Sequence, residues 1–544
     1  MRFTKLIRPR LDAPFPLWMI FPVVFSALYA SHFSLLRLPY YWDEAGYYIP
    51  AAWDFFRTGS LIPITTLTNA HPPLPSIYLA FWWKLSGFSP EVTRTAVLLV
   101  AALGLLAVWR LAMRQVGVGL VAFWTVALTA LYPIWFAQST LAHADIFAAA
   151  CTLWALVYAL PGNRREWFPK SWVAALWFAA AALCKETAIV IPITLAGVNL
   201  VEGLRAHAPA RGRLVREAAW FLTSALPLAC WYGWHRFKTG FFFGNPEFLR
   251  YNAEANLDPL RMLAALGHRL LHLTAHMNLF VPVLMTIAAL LLAPRPDTDG
   301  RERPNIAKPA LLRIFRLLLV NALLFSVLGG ALLTRYLLPM YPLVLLVAVT
   351  TFYRRVRFWQ GLAVLSAAAF VLGLFISPPY GFAPEDNLAY AHVVRLHQAG
   401  IEQLNKRYPA STVLTAWPMT DELTRPELGY LDQTDDRQPY DVYRLEDFSA
   451  GQIDRAAQEP EKYSSALVFS TKYDPQSPLF TLGTRSKALD ERYFGLHHDL
   501  PPEAIAVQLH GALVWKQEDQ GQWIALIRFN RQFEAALQMP GRVR

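Results

Sequence analysis

The chain has 544 residues, of which 55% are hydrophobic and 14% aromatic, and its mean hydropathy is +0.28. Only 16% are charged, against about a quarter in an ordinary globular domain, so a soluble enzyme is excluded. The net charge of +11 would suit a nucleic-acid partner, but its placement along the chain excludes that as well.

Apolar blocks of about 20 residues, enough to cross ~30 Å of hydrocarbon, recur as far as residue 376. They lie near 17–36, 93–112, 118–138, 141–160, 171–184, 186–203, 216–236, 276–294, 312–332, 335–352 and 358–376. The pattern predicts an α-helical polytopic membrane protein with about eleven transmembrane helices, the fifth being short. Basic residues gather in every second loop. Arg2, Lys5, Arg8 and Arg10 precede the first block, and Arg110 and Arg114 follow the second. Arg164, Arg165 and Lys170 follow the fourth, and Arg205, Arg211, Arg213 and Arg216 the sixth. Arg295, Arg301, Arg303, Lys308 and Arg313 follow the eighth, and Arg354, Arg355 and Arg357 the tenth. This is the bias of cytoplasmic loops. It puts the N-terminus in the cytoplasm and the loops 37–92 and 237–275 outside, together with everything after residue 376. The first block lacks a small-residue cleavage site and reads as an uncleaved span. Cys151, Cys184 and Cys230 sit in or beside apolar blocks, which offers neither a disulfide framework nor a cysteine metal site.

The first outer loop opens on Tyr41-Trp42-Asp43-Glu44-Ala45-Gly46-Tyr47-Tyr48. Adjacent carboxylates among aromatics beside a membrane are poor anchors but suit proton abstraction or cation holding. Their bland alternative is a solvated turn. Later in the loop come His71-Pro72-Pro73 and the aromatic segment 75–85, suited to the headgroup zone. Asp145 lies about one turn inside the fourth block, where an unpaired charge costs roughly 2–3 kcal/mol, so it faces a cavity or pairs with Lys185. Lys185-Glu186 joins the fifth and sixth blocks, either as an interfacial hairpin with a snorkelling lysine or as a contact for an anionic headgroup.

The second outer loop carries Arg250, followed by an amphipathic helix with His268, His272 and His276 on one face. An interfacial face is expected there rather than a metal site. Arg335-Tyr336 opens the tenth block on the outer side, where an arginine needs an anionic partner, either a phosphate or a packing carboxylate. From 377 to 544 the composition turns polar. A helix over 387–408 and strands over 411–416, 464–470 and 523–529 predict a soluble extracytoplasmic α/β domain. The membrane domain is then 1–376.

Taken in order, Trp42-Asp43-Glu44, His71-Pro72-Pro73-Leu74, Asp145, Lys185-Glu186 and Arg335-Tyr336-Leu337-Leu338-Pro339 resemble membrane glycosyltransferases that use polyprenyl-phosphate sugars. These are the GT-C fold enzymes of the protein O-mannosyltransferase and aminoarabinose transferase type, and the resemblance covers about 15–376. It implies Asp43 as catalytic base, with Glu44 helping to bind the acceptor or a metal and Asp145 shaping the site. Lys185, Arg335 and Tyr336 would hold the donor phosphate, with His71, Glu186 and Arg250 as further site-shaping residues. It also implies an inverting transfer to a hydroxyl of a protein, lipid or glycan, within a bacterial inner membrane. No cofactor is fixed by the residues, and a divalent metal stays open. Where the aminoarabinose enzymes carry Glu-Lys before the double proline, this chain has Ala70-His71, which leaves the acceptor open. A secondary transporter and a non-catalytic scaffold are the rival classes.

Overall fold

The computed structural model describes residues 16–162, 170–244, 246, 257–297, 300–328, 330–431, 440–473, 484–495 and 498–529. Helices occupy all eleven apolar stretches. Five of them are long and apolar enough to cross a membrane: Leu17–Leu35, Pro90–Gln115, Glu186–Leu204, Lys308–Val327 and Thr334–Arg355. The pair Pro259–Asn278 and Phe280–Leu290 passes the same test together but is bent by 99°, as a broken span or a re-entrant loop would be.

Gly119–Leu131, Ala144–Ala159, Ser171–Cys184 and Trp359–Phe375 are apolar but shorter. The stretch near 216–236 divides into Ala208–Thr223 and Ala225–Thr239. By length and apolarity alone, the described residues hold five crossings, or six if the bent pair is one span, against the eleven expected. Local chemistry explains part of the shortening. Tyr132 precedes a proline, which disfavours helical backbone, so the third stretch stops at Leu131 and restarts at Pro133. At the 99° bend, Met277 and Asn278 adopt positive φ.

The outer faces of these helices stay apolar and uncovered, with Trp18, Val23, Leu176, Leu204, Leu263 and Leu291 all exposed. Such a surface suits lipid rather than water. The bundle also has two chemically distinct ends. Pro90–Gln115 is about 39 Å long at 1.5 Å per residue. At its far end Arg114 donates to the Val157 carbonyl. The basic loops of that end bind one another: Arg313 and Arg316 reach Glu202, Arg303 reaches the Tyr353 carbonyl, and Arg354 reaches Glu302. Near the other end of the same helix, Arg94 meets Glu44.

Residues 396–529 build a second core around a five-stranded sheet. Its strands are β1 (Val413–Ala416), β2 (Val442–Leu445), β3 (Ser465–Phe469), β4 (Ala512–Asp519) and β5 (Gln522–Arg528), in the order β2-β1-β3-β5-β4. β1 pairs in parallel with β2 and β3, and β5 runs antiparallel to β3 and β4. The expected helix is Ala389–Arg407. Three strands stand where the sequence predicts them, whereas β2 and β4 were not expected, being polar or half-exposed and lacking a buried apolar run.

This domain rests on the first loop. The Tyr40 N–H donates to the Leu428 carbonyl, the Tyr430 hydroxyl to the Tyr40 carbonyl, and Arg425 to the Thr65 carbonyl. Trp417 packs edge-on against Trp42 with ring centroids 4.9 Å apart. A side chain at Gly46 would begin 2.8 Å from the Trp417 ring. Gly46→Val is therefore expected to destabilise the protein by about 1–3 kcal/mol through overpacking, read as a lowered Tm in detergent.

Candidate active site

The first loop is rigid because its polar groups are satisfied internally. Asp54 accepts hydrogen bonds from the Ile64 and Thr65 N–H groups at 2.6 and 2.8 Å, which folds 59–65 back onto the helix Ile49–Thr58. Asp43 stands at the start of a single π-helical turn, Glu44–Tyr48, a geometry that recurs at functional sites. Trp42 before it adopts φ +46, and Ala70 before His71 adopts φ +57, a region that non-glycine residues rarely occupy.

The dyad divides into two roles. Glu44 is fully buried and points into the protein, accepting from the N–H groups of Tyr41 and Ala142 at 2.9 and 2.6 Å. Arg94 donates to it at 3.2 Å and also binds the carbonyls of Leu38, Pro39 and Thr140. Asp43 points the other way, into a cavity of about 1740 Å³, with its side chain 35% exposed.

Arg335 is the centre of the site and is only 3% exposed. One terminal nitrogen, Nη2, donates to Asp43; the other, Nη1, donates to both Glu385 oxygens at 2.6 and 2.5 Å. Its Nε lies 3.4 Å from Asp145 Oδ2, and neither atom completes a hydrogen bond. Asp145 Oδ1 accepts from Lys185 Nζ at 2.6 Å, and that ammonium sits 4.2 Å from the centroid of the Tyr336 ring. His71 binds Glu186 at 3.1 Å. Tyr48 lies against both His71 and His143, and His143 Nδ1 is 3.2 Å from Arg335 Nη1.

The structure thus brings together Asp43, Asp145, Lys185, Arg335 and Tyr336, with His71 and Glu186 beside them along the cavity wall. Glu44 is kept out of the cavity by its pairing with Arg94. Arg250 lies outside the described residues. The histidine face also departs from expectation, because His268, His272 and His276 line the cavity instead of facing lipid. His276 leaves the helix Pro259–Thr274 for the bend that follows, where it binds Asp386 at 2.9 Å and Tyr380 at 2.9 Å. Among the described residues, no group of three His, Cys, Asp or Glu is arranged to hold a metal ion.

Two site residues were not singled out from the sequence: Glu385, and Asp386, which takes the Thr334 hydroxyl as well as His276. Both come from the connector that leaves the last apolar helix, a stretch read only as the start of a soluble domain. A signal was present, since Glu385-Asp386 repeats after the last span the pattern of Asp43-Glu44 after the first.

Residues 70–232 match the family model described as dolichyl-phosphate-mannose-protein mannosyltransferase, a stretch that includes His71, Asp145, Lys185 and Glu186. Among curated proteins no match is found. Solved structures similar to this chain include ArnT from Cupriavidus metallidurans in the apo state, with a TM-score of 0.52 and 15% identity. The comparison covers 94% of this chain and 97% of that one. ArnT from the same organism bound to undecaprenyl phosphate gives the same values. The fold is GT-C. At 15% identity the likeness is one of fold.

Burial pushes the Glu385 carboxyl up from the ordinary 4.5 to about 8, with Arg335 opposing the shift and Asp43 adding to it. A carboxyl raised in this way binds its proton more tightly folded than unfolded. Its contribution to stability is complete below pH 4.5 and is lost as pH rises through about 8. In Glu385→Gln that decline is expected to flatten, as measured by Tm between pH 5 and pH 9.

Proposed function

We propose that this protein is a glycosyltransferase that moves a sugar from a polyprenyl-phosphate donor to an acceptor hydroxyl. One observation carries the proposal: carboxylates from three stretches far apart in sequence converge on a buried Arg335, and of these Asp43 is by far the most exposed to the cavity. Side-chain exposure is 35% for Asp43 but 2% for Asp145 and 4% for Glu385. A substrate hydroxyl therefore reaches Asp43 most readily of the three.

In this reading Asp43 is the general base, aimed by Arg335. The acceptor oxygen attacks the anomeric carbon from the face opposite the phosphate, and the configuration inverts. The bond from that carbon to the phosphate oxygen breaks, the electron pair leaves with polyprenyl phosphate, and the hydroxyl proton passes to Asp43. Lys185 lines the cavity with one N–H committed to Asp145, which suits it to meet the charge growing on the phosphate. Arg335 orients Asp43 and borders the phosphate subsite, and Tyr336 supports Lys185 through its ring. Asp145 holds Lys185 and Arg335 at their spacing. Glu44 acts at one remove, fixing the loop from which Asp43 projects, while His71 and Glu186 shape the wall. Arg250 stays a candidate for the same cavity.

The long prenyl chain fits an apolar wall formed by Leu271, Phe280, Leu324, Phe325, Leu328 and Ile376. The charge distribution favours a bacterial inner membrane, with the basic loops cytoplasmic and the site, like the 377–544 domain above it, extracytoplasmic. The acceptor is a protein, lipid or glycan bearing a free hydroxyl.

Asp43→Asn keeps shape and removes the base. It is expected to insert normally into membranes and to lose about 10²–10⁴-fold in transfer, measured as sugar released from a labelled polyprenyl-phosphate donor. Undiminished transfer would remove Asp43 from the role, whereas transport of a solute with no transfer would favour the transporter.

A further inference from the structure

The connector Ser377–Pro384 runs from the last apolar helix into the C-terminal domain and delivers Glu385 to the same guanidinium that holds Asp43. The contact has three notable features. Both Glu385 oxygens lie on Arg335 Nη1, and the carboxylate lines the cavity. The Nε of Arg335 is buried without a hydrogen-bond partner, so the guanidinium is not fully satisfied by protein. Two cations, Arg335 and Lys185, face three carboxyl groups, Asp43, Asp145 and Glu385, so once Glu385 is ionised, above about pH 8, one negative charge is in excess where an anion is to bind.

A sugar phosphodiester spreads a single charge over two non-bridging oxygens, as a carboxylate does, and guanidinium N–H groups donate to either anion. Exchanging one for the other on Arg335 leaves the local charge unchanged where Glu385 is ionised. Asp386, fixed by His276 and Thr334, would hold the connector while its neighbour swings away.

We propose that Glu385 is an internal stand-in for the donor phosphate: it occupies Arg335 in the empty enzyme and yields that position when the phosphodiester binds. The inference rests on the reading of the cavity as a polyprenyl-phosphate site. Glu385 is thus a positioning residue that sets anion affinity, and it also ties donor entry to the connector of the C-terminal domain.

The test is equilibrium binding at pH 9, where Glu385 is ionised, of a short-chain polyprenyl phosphate, and of the matching polyprenol without phosphate, to the full-length protein in nanodiscs. Glu385→Gln is expected to bind the phosphate about tenfold more tightly, worth about 1.4 kcal/mol, with polyprenol binding unchanged. Glu385→Asp shortens the reach to Arg335 and is expected to shift affinity the same way by less. Glu186→Gln removes an equal charge from the cavity without freeing Arg335, and its gain is expected to stay under about twofold if direct occupancy is at work. Equal gains in Glu385→Gln and Glu186→Gln, or no gain in either Glu385 variant, overturn the inference while leaving the donor site standing. A wild-type protein that does not distinguish the phosphate from the alcohol overturns both.

Discussion

A buried guanidinium is the constraint on which the rest of this structure depends. Removing an arginine from water is expensive, and the penalty is recovered only when anions surround it in good geometry. Arg335 obtains those anions from three separate parts of the chain: Asp43 after the first helix, Asp145 in the fourth apolar stretch and Glu385 after the last. No pair of these elements is close in sequence. Whatever positions Arg335 therefore also closes the two ends of the membrane region onto each other. The seven-residue 3₁₀ segment Thr334–Met340 that carries it sits at the start of a helix whose other end lies among the basic loops.

A second buried pair keeps the first one usable. Were Glu44 not neutralised by Arg94 and two backbone N–H groups, it would compete with Asp43 for the nearest cation. Saturating one member of an acidic dyad inside the protein leaves the other free to face the cavity. Trp42, immediately before the dyad, adopts a positive φ, a conformation that costs a non-glycine residue about 1–3 kcal/mol. Met277 and Asn278 do the same on the opposite wall, where they let His276 leave its helix and reach Asp386.

How much of this was legible in the sequence follows from the range over which each signal acts. Apolar blocks and basic loops are local patterns with a physical length scale, so eleven helical stretches and the composition change near 377 could be read directly. Asp43, Asp145, Lys185 and Arg335 also announced themselves, since an ion beside hydrocarbon demands a reason. The division of labour between Asp43 and Glu44 could not be read, because it is decided by Arg94, a residue that looks like any arginine near the start of a span. Glu385 was missed for the complementary reason. In a polar stretch an acid needs no explanation, and only the fold reveals that this one is 3% exposed. β2 and β4 were invisible because edge strands of a small sheet need no continuous apolar run.

The cavity itself limits what can occupy it. One wall, from Leu324, Phe325 and Leu328, offers only hydrocarbon, and any polar group against it would lose its hydration without compensation. The opposite region, from Asp43 and Lys185 round to His276 and the Lys472 edge of the C-terminal domain, offers charges and hydrogen bonds that a purely apolar guest could not satisfy. A soluble sugar would leave the first wall wet, and a free lipid tail would leave the second unpaired. A molecule with a long apolar chain joined to an anionic, hydroxylated head satisfies both at once. Because that head carries charge of the same sign as most of the site's side chains, binding must be driven by the few cations and by burial of the chain. In the proposed reaction the phosphate stays on the polyprenyl chain after the sugar has left, and its release is favoured by the same carboxylates that oppose entry.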